Sequence, residues 1–179
     1  INIENQVDKE YLVKADNLIA LHQFPNIKVM DFYSNIAAAL HEIKLYKEAL
    51  LYYEKMVEVT EIEKLWLPAL NCMAHCQRVL GKEVDIPLLD EKQISSASVI
   101  DQRIYKYFIT KGVKPFAKIN YILKEIAPYL KFDGVMEVFE DEMSLLAEET
   151  SSYKGLHTYR KIIEENREKW NDDFLRKNG

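Results

Sequence analysis

The chain has 179 residues, 48% hydrophobic, 30% charged and 11% aromatic, the balance of a globular protein of a single domain that needs no disulfide or metal to hold its core. Five Gly and five Pro exclude collagen-like and low-complexity chains, and 24 Lys and Arg against 29 Asp and Glu, net −5, argue against direct contact with a phosphate backbone. No apolar run reaches the ~18 residues that span a bilayer, Ile1 to Glu10 has no apolar signal core, and Cys72 and Cys76 make no disulfide framework, so the expectation is a cytoplasmic protein without membrane contact.

Prolines, glycines and capping residues divide the chain into eight or nine helical segments with no convincing strand. The first is predicted from about Asp8 to His22, stopping before Pro25, and the second starts after Asn26, carries Phe32, Tyr33, Ile36, Ala37 and Leu40 at helical spacing, and reaches about Ile43. Tyr46 to Val59 follows, with Ala49, Leu50, Tyr53, Met56 and Val57 on one face. Thr60 and Glu63 have capping-box spacing, and Pro68 falls in the first turn of a helix that ends near Gly81. A short piece at Leu88 to Gln93 leads to Ser95, Ser96 and Ser98, which are predicted to cap a helix from Val99 to Lys111, ended by Gly112. The last three segments are Pro115 to Leu130, Gly134 to Glu149 and Tyr153 to Leu175, with Asp133 and Thr150 as caps.

Consecutive helices of this length invite a search for a fixed period. Ile36 and Ile104, Ala49 and Ala117, and Tyr53 and Tyr121 are each 68 residues apart, twice 34. A looser echo relates Tyr46, Lys47, Ala49 and Tyr52 to Tyr153, Lys154, Leu156 and Tyr159. These residues resemble the tetratricopeptide repeat, a helix-turn-helix module of 34 residues. Its first helix carries a bulky residue, an apolar and small pair and a second large one, matched by Tyr33, Ile36, Ala37 and Leu40. Its second helix is matched by Tyr46, Ala49 and Tyr53. In the third copy Ile104, Phe108, Gly112, Ala117 and Tyr121 fit, but Tyr105 stands where a small residue is usual. In the middle copy Pro87 replaces the second-helix aromatic, so that helix is expected to be short or displaced. The resemblance implies an all-α fold: about four degenerate antiparallel helix pairs over residues 1–179, stacked as a right-handed solenoid. The alternative is an irregular bundle.

Motifs for catalysis are absent: there is no Gly-rich phosphate loop, no Gly-x-Ser-x-Gly and no His-Glu-x-x-His. The histidines His22, His41, His75 and His157 share no spacing with one another in this reading. Cys72, His75 and Cys76 could present three ligands from one helix, but a fourth is missing nearby and an apolar helix makes them core residues. Glu137, Glu140, Asp141, Glu142, Glu148 and Glu149 read as a solvated helix face. The expectation is therefore no enzyme, no cofactor and no metal.

A repeat array offers a concave surface lined by the first helix of each pair. In peptide-binding members of the family the residue before the apolar and small pair faces that groove. The corresponding positions here are Asn35 and Arg103, with Asn71, and Arg78 two turns on, in the degenerate middle copy. Asparagine suits the task because one amide both donates to and accepts from a peptide backbone. The bland reading of each is a solvated or capping residue.

The degenerate repeats, these asparagines and the stretch Tyr153 to Ile163 are also similar to the C-terminal repeat region of Gram-positive helix-turn-helix regulators that sense secreted peptides, the group containing Rgg, PlcR and Rap. That resemblance implies a peptide- or protein-binding domain that dimerises and responds to a short peptide, with a DNA-binding domain before Ile1 and nucleic acid contacted only through it. A protein-protein adaptor with no small-peptide ligand is the alternative.

Overall fold

The computed structural model describes residues 9–22, 25–129 and 133–178. They are all-α, with nine α-helices and no strand among the described residues: α1 (Lys9–His22), α2 (Asn26–Glu42), α3 (Tyr46–Val59), α4 (Leu67–Val79), α5 (Glu91–Ser96), α6 (Val99–Ile109), α7 (Pro115–Tyr121), α8 (Asp133–Thr150) and α9 (Lys154–Asn178). Among the described residues no helix is long and apolar enough to cross a membrane. The expected boundaries at Asp8 and Leu130 lie outside the described residues.

Proline and hydroxyl chemistry sets most of the helix starts. Pro68 and Pro115 sit in the first turns of α4 and α7, where a missing N–H costs nothing. The Ser98 hydroxyl accepts from the Asp101 amide and caps α6. Two capping expectations are corrected. Thr60 does not open a helix: its hydroxyl donates to the Met56 carbonyl at 2.6 Å and closes α3. A capping box does form at Asp90 with Gln93, starting α5 three residues later than expected. Thr150 likewise donates back into α8, to the Leu146 carbonyl. The helix expected from Pro115 to Leu130 is regular only to Tyr121; a π turn over Ile122–Ile126 and a 3-10 turn over Ala127–Tyr129 continue it. Pro128 explains the change, because its ring would collide with the Lys124 carbonyl of a regular helix.

The helix ends repeat. In α2 the Leu45 amide bonds the Leu40 carbonyl and Lys44 bonds His41. In α4 Lys82 bonds Gln77 and Gly81 bonds Arg78. In α8 Ser152 bonds Ala147 and Ser151 bonds Glu148. All six bonds are 2.8–3.1 Å and make the same six-to-one and five-to-two cap. Lys44, Gly81 and Ser151 take the left-handed φ this cap needs, and Gly112 takes it after α6. Every even-numbered helix from α2 to α8 is thus closed by a left-handed residue, at intervals of 31 to 39 residues.

α2 packs on α3 with Ala37, Leu40, Ala49 and Tyr53 buried. α4 is the centre of the molecule: it packs against α2, α3, α6 and α8, and Leu67, Ala69, Leu70, Met73, Ala74 and Cys76 are all buried around it. A helix enclosed on this many sides belongs to the core. α8 carries Phe139, Met143, Leu146 and Ala147, fully buried, so the C-terminal half of the chain folds back onto α4. At roughly 1.5–3 kcal/mol for each large apolar side chain, that face fixes α8 in place. α9 then meets α7 at Gly155, where an added Cβ would stand 2.6 Å from Ile119 Cγ2.

Candidate functional site

Three of the four expected groove residues spend their polar atoms inside the molecule. Asn71 is buried; its amide donates to the Asp101 carbonyl at 3.1 Å and its Oδ1 has no hydrogen-bond partner. Arg103 donates to the Glu125 carbonyl at 2.8 Å, pairs with the Glu125 carboxylate at 2.9 Å and lies 4.2 Å above the Tyr129 ring. Arg78 points at α8. Asn35 alone is exposed. Asn71, being buried, lines no open trough with Asn35 and Arg103.

The contact between α4 and α8 is polar at its heart. Arg78 Nε bonds both oxygens of Glu142, at 3.2 and 3.1 Å, and Nη2 reaches Glu142 and Glu149, each at 3.0 Å. The Tyr107 hydroxyl of α6 donates to Glu142 as well. Glu142 is 0% exposed, which corrects the expectation that the whole acidic stretch is solvated; Glu148 and Glu149 remain at the surface, and the Glu137 side chain lies outside the described residues. Burial and the Glu142 charge together push the Tyr107 hydroxyl far above its usual range, so it serves only as a donor. A buried ion pair of this kind adds little net stability, yet losing Arg78 strands the buried Glu142 carboxylate at a cost of about 3–5 kcal/mol.

One turn before Arg78, His75 Nδ1 meets His41 Nε2 at 2.9 Å. Tyr46 closes the group: its ring packs edge-on against both imidazoles, and its hydroxyl donates to Asp141 at 3.2 Å. Asp141 Oδ2 is 3.7 Å from His75 Nε2. Burial lowers the affinity of both imidazoles for a proton; for His75, His41 and Lys44 add to the effect and bring it to about 3, whereas Glu42 and Asp141 oppose it at His41. Sequence reading missed this pair although its signal was present, since His41 and His75 are 34 residues apart, one repeat period.

Cys72 and Cys76 are free thiols, and His75 turns from them toward His41. Burial raises Cys72 to about 11 and, with Cys72 beside it, Cys76 to about 12, which leaves both as unreactive thiols at neutral pH. Among the described residues no group of three or more His, Cys, Asp or Glu converges as a metal site.

The open concavity lies elsewhere, across α1, α3 and the corner after α4. It is a cleft of about 660 Å³ walled by Leu12 and Val13 of α1, Leu50, Leu51 and Tyr52 of α3, and Leu80. Val13, Leu51 and Leu80 are 58%, 51% and 38% exposed. Lys47, Lys82, Glu48 and Glu54 rim it. One wall is held by Asp16 of α1, whose Oδ2 accepts from Lys55 at 2.5 Å and from the Tyr52 hydroxyl at 3.4 Å. Apolar walls, a charged rim and a volume within the usual range for ligand pockets make it the best-formed candidate site. No protein-family model matches the chain, and no curated protein or solved structure is significantly similar to it.

Proposed function

We propose that the chain is a peptide- or protein-binding helical domain whose binding surface is the cleft between α1 and α3, and that its occupant is an amphipathic helical segment. The observation that carries this reading is the cleft itself, with Val13, Leu51 and Leu80 half exposed along one trough. In a tetratricopeptide-like stack of pairs α2–α3, α4–α5, α6–α7 and α8–α9, a full-length second helix after α4 would lie beside α3. Here the chain runs without helix from Lys82 to Asp90, and α5 has six residues. The matching caps at Lys44, Gly81 and Ser151 support the pairwise reading. A partner helix laid along α3 with leucine-sized side chains at helical spacing would cover the apolar walls. Within the regulator resemblance, this domain is the ligand-sensing and dimerising part of a bacterial transcription factor.

Selection from a random peptide display library tests the proposal. Enriched sequences are expected to carry apolar residues three and four apart, and Leu51→Glu is expected to lower their affinity at least tenfold without loss of folding. Failure to enrich any sequence contradicts the proposal. Binding indifferent to Leu51→Glu but abolished by Asn35→Ala returns the site to the first helices of the pairs.

A further inference from the structure

The His41, His75, Tyr46 and Asp141 group is used neither by the cleft nor by the Arg78 contact. His75 is 1% exposed, and the two imidazoles approach nitrogen to nitrogen at 2.9 Å, a distance that requires one N–H and one lone pair between them. We propose that this pair is an acid-sensitive clasp: it fastens the corner between α2 and α3 to α4 and α8 while the two rings carry at most one added proton, and it releases that corner when both are charged.

Proton accounting leads to this limit. When neither ring is charged, His41 Nε2–H donates to His75 Nδ1, which places the His75 proton on Nε2, beside Asp141. One added proton on His41 Nδ1 leaves that arrangement intact. A second must go to His75 Nδ1, setting two N–H groups against each other across 2.9 Å and two positive charges in a buried site. The surrounding carboxylates favour charge on His41 but are outweighed there by burial. From α2 there is Glu42, from the turn Lys44, from α3 the Tyr46 hydroxyl, and from α8 Asp141, which already accepts from Tyr46. Arg78, one turn along α4, is committed to Glu142 and Glu149.

The direction of the pH effect follows. Both imidazoles bind a proton less readily folded than unfolded, and the unfolded value is about 6.5. The clasp is therefore at full strength above that pH and weakens as pH falls from it toward the folded value, about 3 for His75. Carboxylates titrate lower, so the interval from pH 6.5 to 5 isolates histidine.

Amide hydrogen exchange across that interval tests the clasp, with observed rates corrected for intrinsic exchange. The amides of Leu45 and Ala49, bonded to Leu40 and Leu45 respectively, report on the corner. Their opening equilibrium is expected to rise by at least about sixteenfold from pH 6.5 to 5.0, the factor for one proton taken up on opening by a group whose unfolded value is about 6.5, and to stay level in the H41Q/H75Q variant. Equal opening at both pH values in the unaltered protein overturns the proposal. Should the variant fail to fold, proton NMR titration of the unaltered chain decides: a His75 ring that titrates near 6.5 contradicts the clasp, and one that stays neutral to pH 5 supports it.

Discussion

Ala49 of α3 is fully buried and Ala117 of α7, 68 residues later, is exposed, although both hold the small-residue position of one helix-pair pattern. The partners explain the difference. Ala37 of α2, which packs on α3, is also fully buried, and two small buried side chains let α2 and α3 approach closely. At the position equivalent to Ala37 the later copy has Tyr105, whose hydroxyl donates to the Pro87 carbonyl and accepts from the Leu89 amide, so that its bulk anchors the loop before α5. Tyr53 is buried, whereas Tyr121 is half buried with its hydroxyl on the Arg103 carbonyl, and the regular helix ends there. Equal spacing in sequence specifies where helices form; the residue facing each small position decides how near they come.

The strongest way to break this comparison is to enlarge both small residues. Ala49→Leu is expected to cost about 1–3 kcal/mol by overpacking, and Ala117→Leu to change stability by no more than about 0.5 kcal/mol, both read from denaturant midpoints. Equal losses at the two sites would mean that both pairs are packed alike. A smaller contrast sharpens it at the helix ends. Lys44 and Gly112 are also 68 residues apart and share the left-handed conformation, φ 63° and 70°. Lys44→Gly is expected to raise stability, and Gly112→Ala, with no atom near the new Cβ, to lower it, by about 1 kcal/mol each from backbone conformation alone. Thermal melts of the two variants would check the opposite signs.

Much of the helix layout is legible from single residues. Pro25, Pro68 and Pro115 mark starts, Gly81 and Gly112 mark ends, and the all-α class follows from the spacing between them. The irregular end of α7 was legible too, at Pro128, but only with the hydrogen-bond geometry in mind. The candidate site was not legible. Leu51 stands beside Leu50 in sequence, yet Leu50 is buried and Leu51 opens onto the cleft, a distinction that depends on which helix follows α4. Glu142 sits among Glu140 and Asp141 with nothing local to separate a buried carboxylate from solvated ones; what buries it is Arg78, 64 residues away. Long-range pairing of this kind leaves no periodic trace.

The fold-back of α8 onto α4 is central, because it takes Arg78, one of the four residues expected to bind peptide, into a buried contact with Glu142. A double-mutant cycle of Arg78→Met and Glu142→Leu, followed by denaturant unfolding, tests it most directly. Arg78→Met strands the buried Glu142 carboxylate and is expected to lose about 3–5 kcal/mol; Glu142→Leu leaves Arg78 its Glu149 partner and is expected to lose about 1–3 kcal/mol; the double variant is expected to lose less than the sum of the two by a coupling of about 1–3 kcal/mol. Losses that add to within about 0.5 kcal/mol would contradict the contact, and with it the fold-back of α8 onto α4.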